Sequence, residues 1–135
     1  MSRYVLAVVA TLVLGLQSSA SAQVESFSLG NVGPRYSTTR YEQIGSDRTT
    51  LDVYYLTATS RMTISAYLTP TGGDLDLFLY RYVNGKWVVV QSSSNQGIWA
   101  VESVSASVAP GSYAICVSPK LVSGRGGYAL RVFTR

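Results

Sequence analysis

The sequence predicts an all-β domain, an antiparallel β-sandwich of about seven or eight strands. From Gln23 onward, apolar residues recur with period two, and no window shows a sustained helical face with caps at both ends. The apolar segments are rich in β-branched and aromatic side chains, which favour strands. Turn-forming residues separate these segments at intervals of roughly 8 to 12 residues, the spacing typical of a sandwich.

The first half of the domain contains three candidate strands. Residues 25–29 are the first, and the following residues 30–48 are the least patterned stretch, expected to be a loop or an edge strand. Residues 51–58 and 61–68 are rich in β-branched and aromatic side chains. Only Thr59-Ser60 separates them, and this short connection predicts that they pair as a hairpin.

A second hairpin is predicted after the breaker cluster at residues 69–73. Residues 75–80 alternate leucine with a polar or aromatic residue, which is the clearest strand pattern in the chain. Asn84-Gly85 then supplies the dipeptide preferred in a type I′ turn, because both central positions need positive φ. The turn leads into residues 87–90, so these two strands should pair.

The remaining strands follow a polar loop at residues 92–97. Alternation resumes over residues 99–108, and Ala109-Pro110-Gly111 turns the chain. Residues 113–117 and 128–133 complete the set.

Composition excludes most enzyme classes. The chain has 135 residues, 47% apolar and 13% charged, so one domain with a packed core is expected. It contains no histidine, one cysteine and seven acidic residues. Ser/His/Asp and Cys/His catalysis, histidine zinc sites and disulfide frameworks are therefore excluded. A hydrolase built on Ser118 and Lys120 lacks a recognisable context, so the protein is not expected to be an enzyme.

The first 22 residues are typical of an export signal. A basic residue precedes an apolar stretch at residues 4–16, and small residues at 18–22 form a cleavage zone. The alternative is an uncleaved anchor, but the apolar stretch falls short of the roughly 20 residues that span a bilayer. Cleavage after Ala22 would leave residues 23–135 as a single secreted or periplasmic domain without a membrane span.

The net charge of +4 gives little information about a partner. Basic residues are scattered singly, so no nucleic-acid partner is predicted. At most, a weak attraction to anionic polymers or the cell envelope is expected. Cys116 has no second cysteine in the chain. It is either a reactive or intermolecular thiol, or a small buried hydrophobe in its strand, and the second interpretation is favoured.

Six segments occur in an order that resembles the order of segments in a known family: 52–57, 62–65, 72–80, 102–104, 110–115 and 127–132. Together they resemble the bacterial pre-peptidase C-terminal domain, whose relatives include the collagen-binding modules of secreted bacterial collagenases. The likeness covers roughly residues 41–134, and Gly72-Gly73-Asp74-Leu75-Asp76-Leu77 is its most specific part. The resemblance implies a jelly-roll-like sandwich, usually attached to an exported hydrolase, with binding or processing roles. No catalytic domain accompanies the domain in this sequence.

Asp74 and Asp76 are the candidate metal ligands. Residues two apart on a strand point to one side, with about 6.5 to 7 Å between Cα atoms, so calcium could bridge the two carboxylates together with backbone carbonyls. Alternatively, Asp74 caps the Gly-Gly turn while Asp76 pairs with a neighbouring side chain. In the collagen-binding relatives, calcium sites draw on an acidic stretch before the sandwich, where this chain has only Glu25 and Glu42. Calcium is the one candidate cofactor.

Five aromatic residues are predicted to form an exposed binding face. If the leucines of residues 75–79 face the core, the aromatic residues between them face outward, where a merely solvated surface would not need them. The family pairing places Tyr54, Leu56, Met62 and Ile64 inward. The candidate ligand-binding residues are Tyr55, Tyr67, Phe78, Tyr80 and Tyr82. Alternatively, residues 23–40 cover this face, or the tyrosines are ordinary cross-strand partners.

These features favour a small exported binding module that engages an extended polymer, either protein or polysaccharide, through its aromatic face. The alternative is a secreted or envelope accessory protein that associates with a larger exported partner such as a peptidase.

Overall fold

The computed structural model describes residues 23–44, 50–95, 97, 99–121 and 126–135. Nine strands and no helix occur within these residues. The strands are β1 (Gln23–Val32), β2 (Ser37–Ile44), β3 (Thr50–Ala58), β4 (Met62–Pro70), β5 (Asp74–Val83), β6 (Lys86–Ser93), β7 (Glu102–Val108), β8 (Gly111–Leu121) and β9 (Gly126–Thr134).

The strands form two sheets that pack face to face. The five-stranded sheet has the order β1-β3-β8-β5-β6, and the four-stranded sheet has the order β2-β9-β4-β7. Strands β1 and β3 run parallel, whereas every other described pair is antiparallel. The predicted all-β sandwich is therefore confirmed.

The main core lies between the two sheets and follows the predicted alternation. Leu75, Leu77 and Leu79 are fully buried, as the pattern of β5 requires. The residues expected to point inward on β3 and β4 also belong to this core: Tyr54, Leu56, Met62 and Ile64. Each sheet thus contributes one apolar face, as in other sandwiches.

The predicted hairpin between β5 and β6 is confirmed. Asn84 and Gly85 have φ values of 51° and 78°, and Val83 pairs with Lys86 on either side of them. Positive φ at both positions matches the twist of the flanking strands, which explains why this dipeptide predicts a hairpin.

Two other local predictions are wrong. β3 and β4 do not form a hairpin, since β3 belongs to the five-stranded sheet and β4 to the four-stranded sheet. The Thr59 backbone N–H donates to the Val32 carbonyl at 3.1 Å, so the connection is anchored to β1 as it crosses between sheets. The predicted strand at 99–108 starts only at Glu102, because Trp99 has a φ of 75°, outside the extended region.

The least patterned stretch contains an edge strand, one of the two alternatives expected for it. β2 lies at the edge of the four-stranded sheet and pairs along its whole length with β9. The predicted export signal at residues 1–22 lies outside the described residues, as do residues 45–49. In the part of the chain that is described, no helix has the length and apolar character that crossing a membrane requires.

Candidate functional site

The five-stranded sheet is apolar on both faces, and its outward side carries a second hydrophobic cluster. We call this cluster the outer layer. Its buried members are Leu51, Val53, Tyr80, Trp87, Ala114 and Cys116, and its half-buried members are Val24, Tyr55 and Phe78. A solvated sheet face would instead alternate apolar-in with polar-out.

Small side chains on the central strand β8 set the shape of the outer layer. Ala114 is paired with Tyr55 on one side and with Tyr80 on the other. Cys116 lies in the same way between Val53 and Phe78. Large side chains on β3 and β5 therefore flank a row of small ones, and the outer layer is packed rather than loosely solvated.

Aromatic rings connect the strands across this layer. Phe78 and Tyr80 are stacked, with ring centroids 6.0 Å apart and planes at 24°. Trp87 starts on the edge strand β6 and extends over the sheet, with its ring 5.1 Å from that of Tyr82 and 5.9 Å from that of Tyr55. Offset and tilted pairs at these distances are the favourable arrangements for aromatic rings.

An open cavity of about 360 Å³ lies beside Tyr55 and Trp87. We call it the aromatic cavity. It is lined by Ser26, Phe27, Ser28, Gly30, Asn31, Tyr55, Leu56, Thr57, Trp87, Ser112 and Tyr113. The lining thus combines hydroxyl groups from three strands with four aromatic side chains, so the cavity has aromatic and hydrogen-bonding groups together.

Three of the five predicted binding residues, Tyr55, Phe78 and Tyr82, lie on this side of the molecule. Tyr82 is 38% exposed and the other two are half-buried. Trp87 was not among the predicted residues, because nothing in its local sequence shows that its ring crosses to Tyr55. Its pairing with Tyr82 across the Asn84-Gly85 turn was the available signal.

The other two aromatic predictions need correction. Tyr80 is only 1% exposed, because it is packed beside Phe78 and Ala114 in the outer layer and is not an exposed binding residue. Tyr67 is 45% exposed but lies on β4, in the other sheet, where its ring stacks on Phe133 at 5.7 Å. The five residues therefore do not form one continuous face.

The two candidate metal ligands stand at the start of β5. Asp74 is buried, and its Oδ1 has no hydrogen-bond partner among the described residues. Asp76 is half-buried and pairs in register with Ser118 on β8. No group of three or more acidic or cysteine side chains in the described ranges is arranged to hold a metal ion. Calcium at these two carboxylates stays a prediction.

A buried carboxylate that the sequence pattern missed lies between the sheets. Asp52 is fully buried, and the Tyr128 hydroxyl donates a hydrogen bond to its Oδ2. The Tyr128 hydroxyl is also 2.7 Å from the Tyr54 hydroxyl. Burial raises the pKa of Asp52 from 3.8 to about 6, and the nearby charges of Glu25 and Glu42 raise it further against the lowering effect of the Tyr128 hydrogen bond.

Burial raises the pKa of each of the three hydrogen-bonded groups, Asp52, Tyr54 and Tyr128. Burial raises the pKa of Tyr54 to about 12, and burial together with Asp52 raises that of Tyr128. Glu25, Glu42 and Tyr128 line a second open cavity of about 610 Å³. Glu25 and Glu42 are thus neighbours of a buried acid, which their separation in the sequence does not show.

Cys116 is a buried side chain in the outer layer, as the favoured interpretation predicted. Its side chain has no exposed surface, and burial raises the pKa of the thiol to about 12. The thiolate needed for nucleophilic attack or disulfide exchange is therefore scarce at neutral pH.

The sandwich is similar to several solved structures, although no protein-family model matches the sequence and no curated protein is significantly similar to it. One is the pre-peptidase C-terminal domain of a collagenase from Bacillus anthracis, with a TM-score of 0.57 and 16% identity. That match covers 82% of this chain and 97% of the domain. The fold that the sequence resemblance implied is therefore confirmed.

Two further structures share this architecture. PliG of Aeromonas hydrophila, a periplasmic inhibitor of g-type lysozyme, has a TM-score of 0.60 at 13% identity, over 84% of this chain and 99% of PliG. The Yersinia pseudotuberculosis-derived mitogen has a TM-score of 0.54 at 17% identity, and the match covers 73% of this chain and 86% of the mitogen. These likenesses establish a shared fold, and function has to be argued from the surfaces of this chain.

Proposed function

We propose that this protein is a small exported, non-catalytic binding module that engages an extended polymer, either protein or polysaccharide, at the aromatic cavity and the adjoining outer layer. The observation that carries the proposal is the joint presence of Tyr55, Trp87 and a set of hydroxyl groups around one open cavity. Proteins of similar fold include a collagenase domain and a lysozyme inhibitor, and both agree with a binding role.

The chemistry of the cavity suits a ligand with both flat and polar parts. The half-buried Tyr55 offers ring area on which a sugar ring or a peptide side chain can pack, and Trp87, which is only 3% exposed, supports that ring from 5.9 Å. Ser28, Thr57 and Ser112 offer hydroxyl groups that both donate and accept hydrogen bonds. Because these residues come from β1, β3, β8 and β6, the ligand would lie across the strands.

A non-catalytic role agrees with the ionisable groups that the structure describes. The Cys116 thiol is buried and its raised pKa keeps it protonated. Asp52, whose pKa is about 6, is a proton-binding group, but it is fully buried and is absent from the lining of the aromatic cavity. A general base has to reach its substrate, and Asp52 does not.

The edge strand β6 favours a second candidate function, association with a larger exported protein. Among the described strands β6 pairs only with β5, and Val88, Val89 and Val90 are 50%, 43% and 40% exposed. Trp99 is 63% exposed in the loop that follows this strand. An exposed apolar edge of this kind can accept a strand from a partner.

Filling the aromatic cavity tests the main proposal. Thr57→Trp places a large ring among the lining residues, whereas Ser94→Trp places the same ring at an exposed position in the loop after β6. The protein, purified after expression of the full chain, is passed over insoluble collagen-like protein and insoluble polysaccharides. We expect the Thr57 variant to lose retention at least tenfold and the Ser94 variant to keep it.

The two variants also separate the competing outcomes. Retention lost only in Ser94→Trp would place polymer binding near the loop after β6 and overturn the proposal. Retention equal in both variants would remove the cavity as the site. Failure of the unchanged protein to bind any polymer, combined with capture of an exported protein through β6, would favour the accessory role.

A further inference from the structure

The outward side of the four-stranded sheet is a second surface with a different chemistry. We call it the cationic face. Strand register places Tyr41, Tyr67 and Phe133 on it together with Arg131 and Arg135. Serine and threonine occupy most of the other outward positions: Ser37, Thr39, Thr63, Ser65, Thr69, Ser103, Ser105 and Ser107.

Phe133 is the centre of this face. The guanidinium carbon of Arg131 lies 4.9 Å from the centroid of its ring, and that of Arg135 lies 5.6 Å away. On the β4 side, the Tyr67 ring stacks on Phe133 with planes at 19°. Cation–π contact holds the two arginine side chains along the sheet, and their charged groups stay exposed to solvent.

Among the described residues, both charged side chains on this face are arginines. Neither Arg131 nor Arg135 forms an ion pair with a carboxylate of the described residues. Glu42 faces inward, because it is paired with the buried Tyr128, and Glu102 is fully buried. The remaining described carboxylates lie on β1, β3 and β5 of the other sheet. The two guanidinium groups, whose carbons lie 4.9 and 5.6 Å from the centroid of one ring, therefore face solvent with no acidic side chain of the described residues beside them.

The rest of the face consists of short hydroxyl side chains and exposed rings. Tyr41 is 76% exposed and Tyr67 is 45% exposed. Ser65 is only 4% exposed, and its hydroxyl hydrogen-bonds to that of Ser105 at 2.9 Å across β4 and β7. A sheet face with two cations, exposed aromatic rings and hydroxyl groups matches an extended chain that carries both carboxylates and sugar hydroxyls.

We propose that the cationic face binds an acidic polysaccharide of the polyuronate type. Carboxylates would pair with Arg131 and Arg135, sugar rings would pack on Tyr67 and Tyr41, and the serine and threonine hydroxyls would bond to sugar hydroxyls. A nucleic acid fits less well, because tight binding there requires many phosphate contacts and this face provides two cations. The site lies on the opposite side of the sandwich from the aromatic cavity and does not depend on it.

The experiment measures retention of the purified protein in gels that contain polygalacturonate, with neutral dextran and single-stranded poly(dT) as comparison polymers. Arg131→Gln and Arg135→Gln each remove one charge from the face. Lys86→Gln removes one charge from an exposed position at the start of β6, on the other sheet. All variants are first shown to unfold at the temperature of the unchanged protein.

We expect polygalacturonate to retard the unchanged protein, dextran not to do so, and added salt to weaken the retardation. Each arginine variant should bind about tenfold more weakly, as expected for the loss of one charge-assisted contact, while the Lys86 variant keeps its affinity. Tyr67→Ala should weaken binding with little dependence on salt.

Three results would overturn the inference. Equal weakening in all three charge variants would mean that net charge, rather than this face, attracts the polymer. Poly(dT) bound as tightly as polygalacturonate would assign the face to nucleic acids, and no retardation by polygalacturonate would leave it without this ligand. None of these results depends on whether the aromatic cavity binds a polymer.

Discussion

The outer layer and the cationic face are both outward faces of sheets, both carry tyrosines, and they differ in how far those side chains are buried. On the five-stranded sheet, Ala114 leaves room for Tyr55 and Tyr80 on the neighbouring strands. On the four-stranded sheet, the neighbours of Tyr67 are Arg131 and Ser103, which leave it half exposed. Neighbouring strands, rather than the tyrosines themselves, decide which face is packed.

This difference changes how an outward aromatic residue should be interpreted. In the outer layer, aromatic residues contribute to folding as well as to a binding surface, because their ring area is largely removed from water. On the cationic face they contribute little to folding and remain available to a ligand. Substitutions at matched tyrosines can therefore separate the two roles.

The largest expected effect concerns stability. Tyr80→Ala removes a ring that is 1% exposed and should lower the free energy of unfolding by about 3 to 5 kcal/mol, as for other buried aromatic residues. Tyr67→Ala removes a ring that is 45% exposed and stacked on one side, and should cost about 1 kcal/mol or less. Urea unfolding at pH 7 measures both. Equal losses would mean that the two faces are packed alike.

Much of the fold could be predicted because alternation is a local property. Leu75, Leu77 and Leu79 occupy the core for the reason their spacing indicated, and Asn84-Gly85 forms the turn that its φ preferences predicted. Strand pairing is not local. The short Thr59-Ser60 connection suits either a hairpin or a crossing between sheets, and only the long-range pairing of β3 with β1 and β8 decides between them.

The candidate site was predictable only in part, for the same reason. The alternation of β5 correctly places Phe78 and Tyr82 opposite the leucines, but it carries no information about what lies next to them. Burial of Tyr80 depends on Ala114, and the aromatic cavity depends on Trp87 reaching Tyr55 across two other strands. Contacts between residues this far apart in the chain leave no periodic signal.

A pH titration sharpens the comparison, because it reports on the buried carboxyl of Asp52, which belongs to neither outward face. The pKa of Asp52 is raised from 3.8 to about 6 in the folded chain. Between these values the folded state binds more protons than the unfolded state, so the free energy of unfolding falls as pH rises. We expect a loss of up to roughly 3 kcal/mol from pH 4 to pH 6.5, and no further contribution from Asp52 above that.

Asp52→Asn should remove most of this decline, since an amide does not titrate in the same range. Glu42→Gln is the matched control, because it removes a charge that raises the pKa of Asp52 and should reduce the decline only in part. Unfolding curves at intervals of half a pH unit give the slope for each protein. A slope unchanged in the Asp52 variant would place the titrating group elsewhere.

The smallest expected effect compares one hydroxyl on each face. Cys116→Ser places a hydroxyl at a fully buried position between Val53 and Phe78, where its desolvation should cost about 1 to 3 kcal/mol. Ser65→Ala does the reverse on the other sheet, removing the hydroxyl that bonds to Ser105 at 2.9 Å, and should cost about 0.5 to 1.5 kcal/mol, the usual net value of one hydrogen bond. Both changes alter little volume, so chemical denaturation reports the polarity of each face rather than its packing.

If the outer layer were hydrated like the cationic face, serine would be tolerated at position 116 and the native Cys116 thiol would react readily with a thiol reagent. We expect the opposite, a protein whose single thiol is modified only after unfolding, because burial holds the pKa of that thiol near 12.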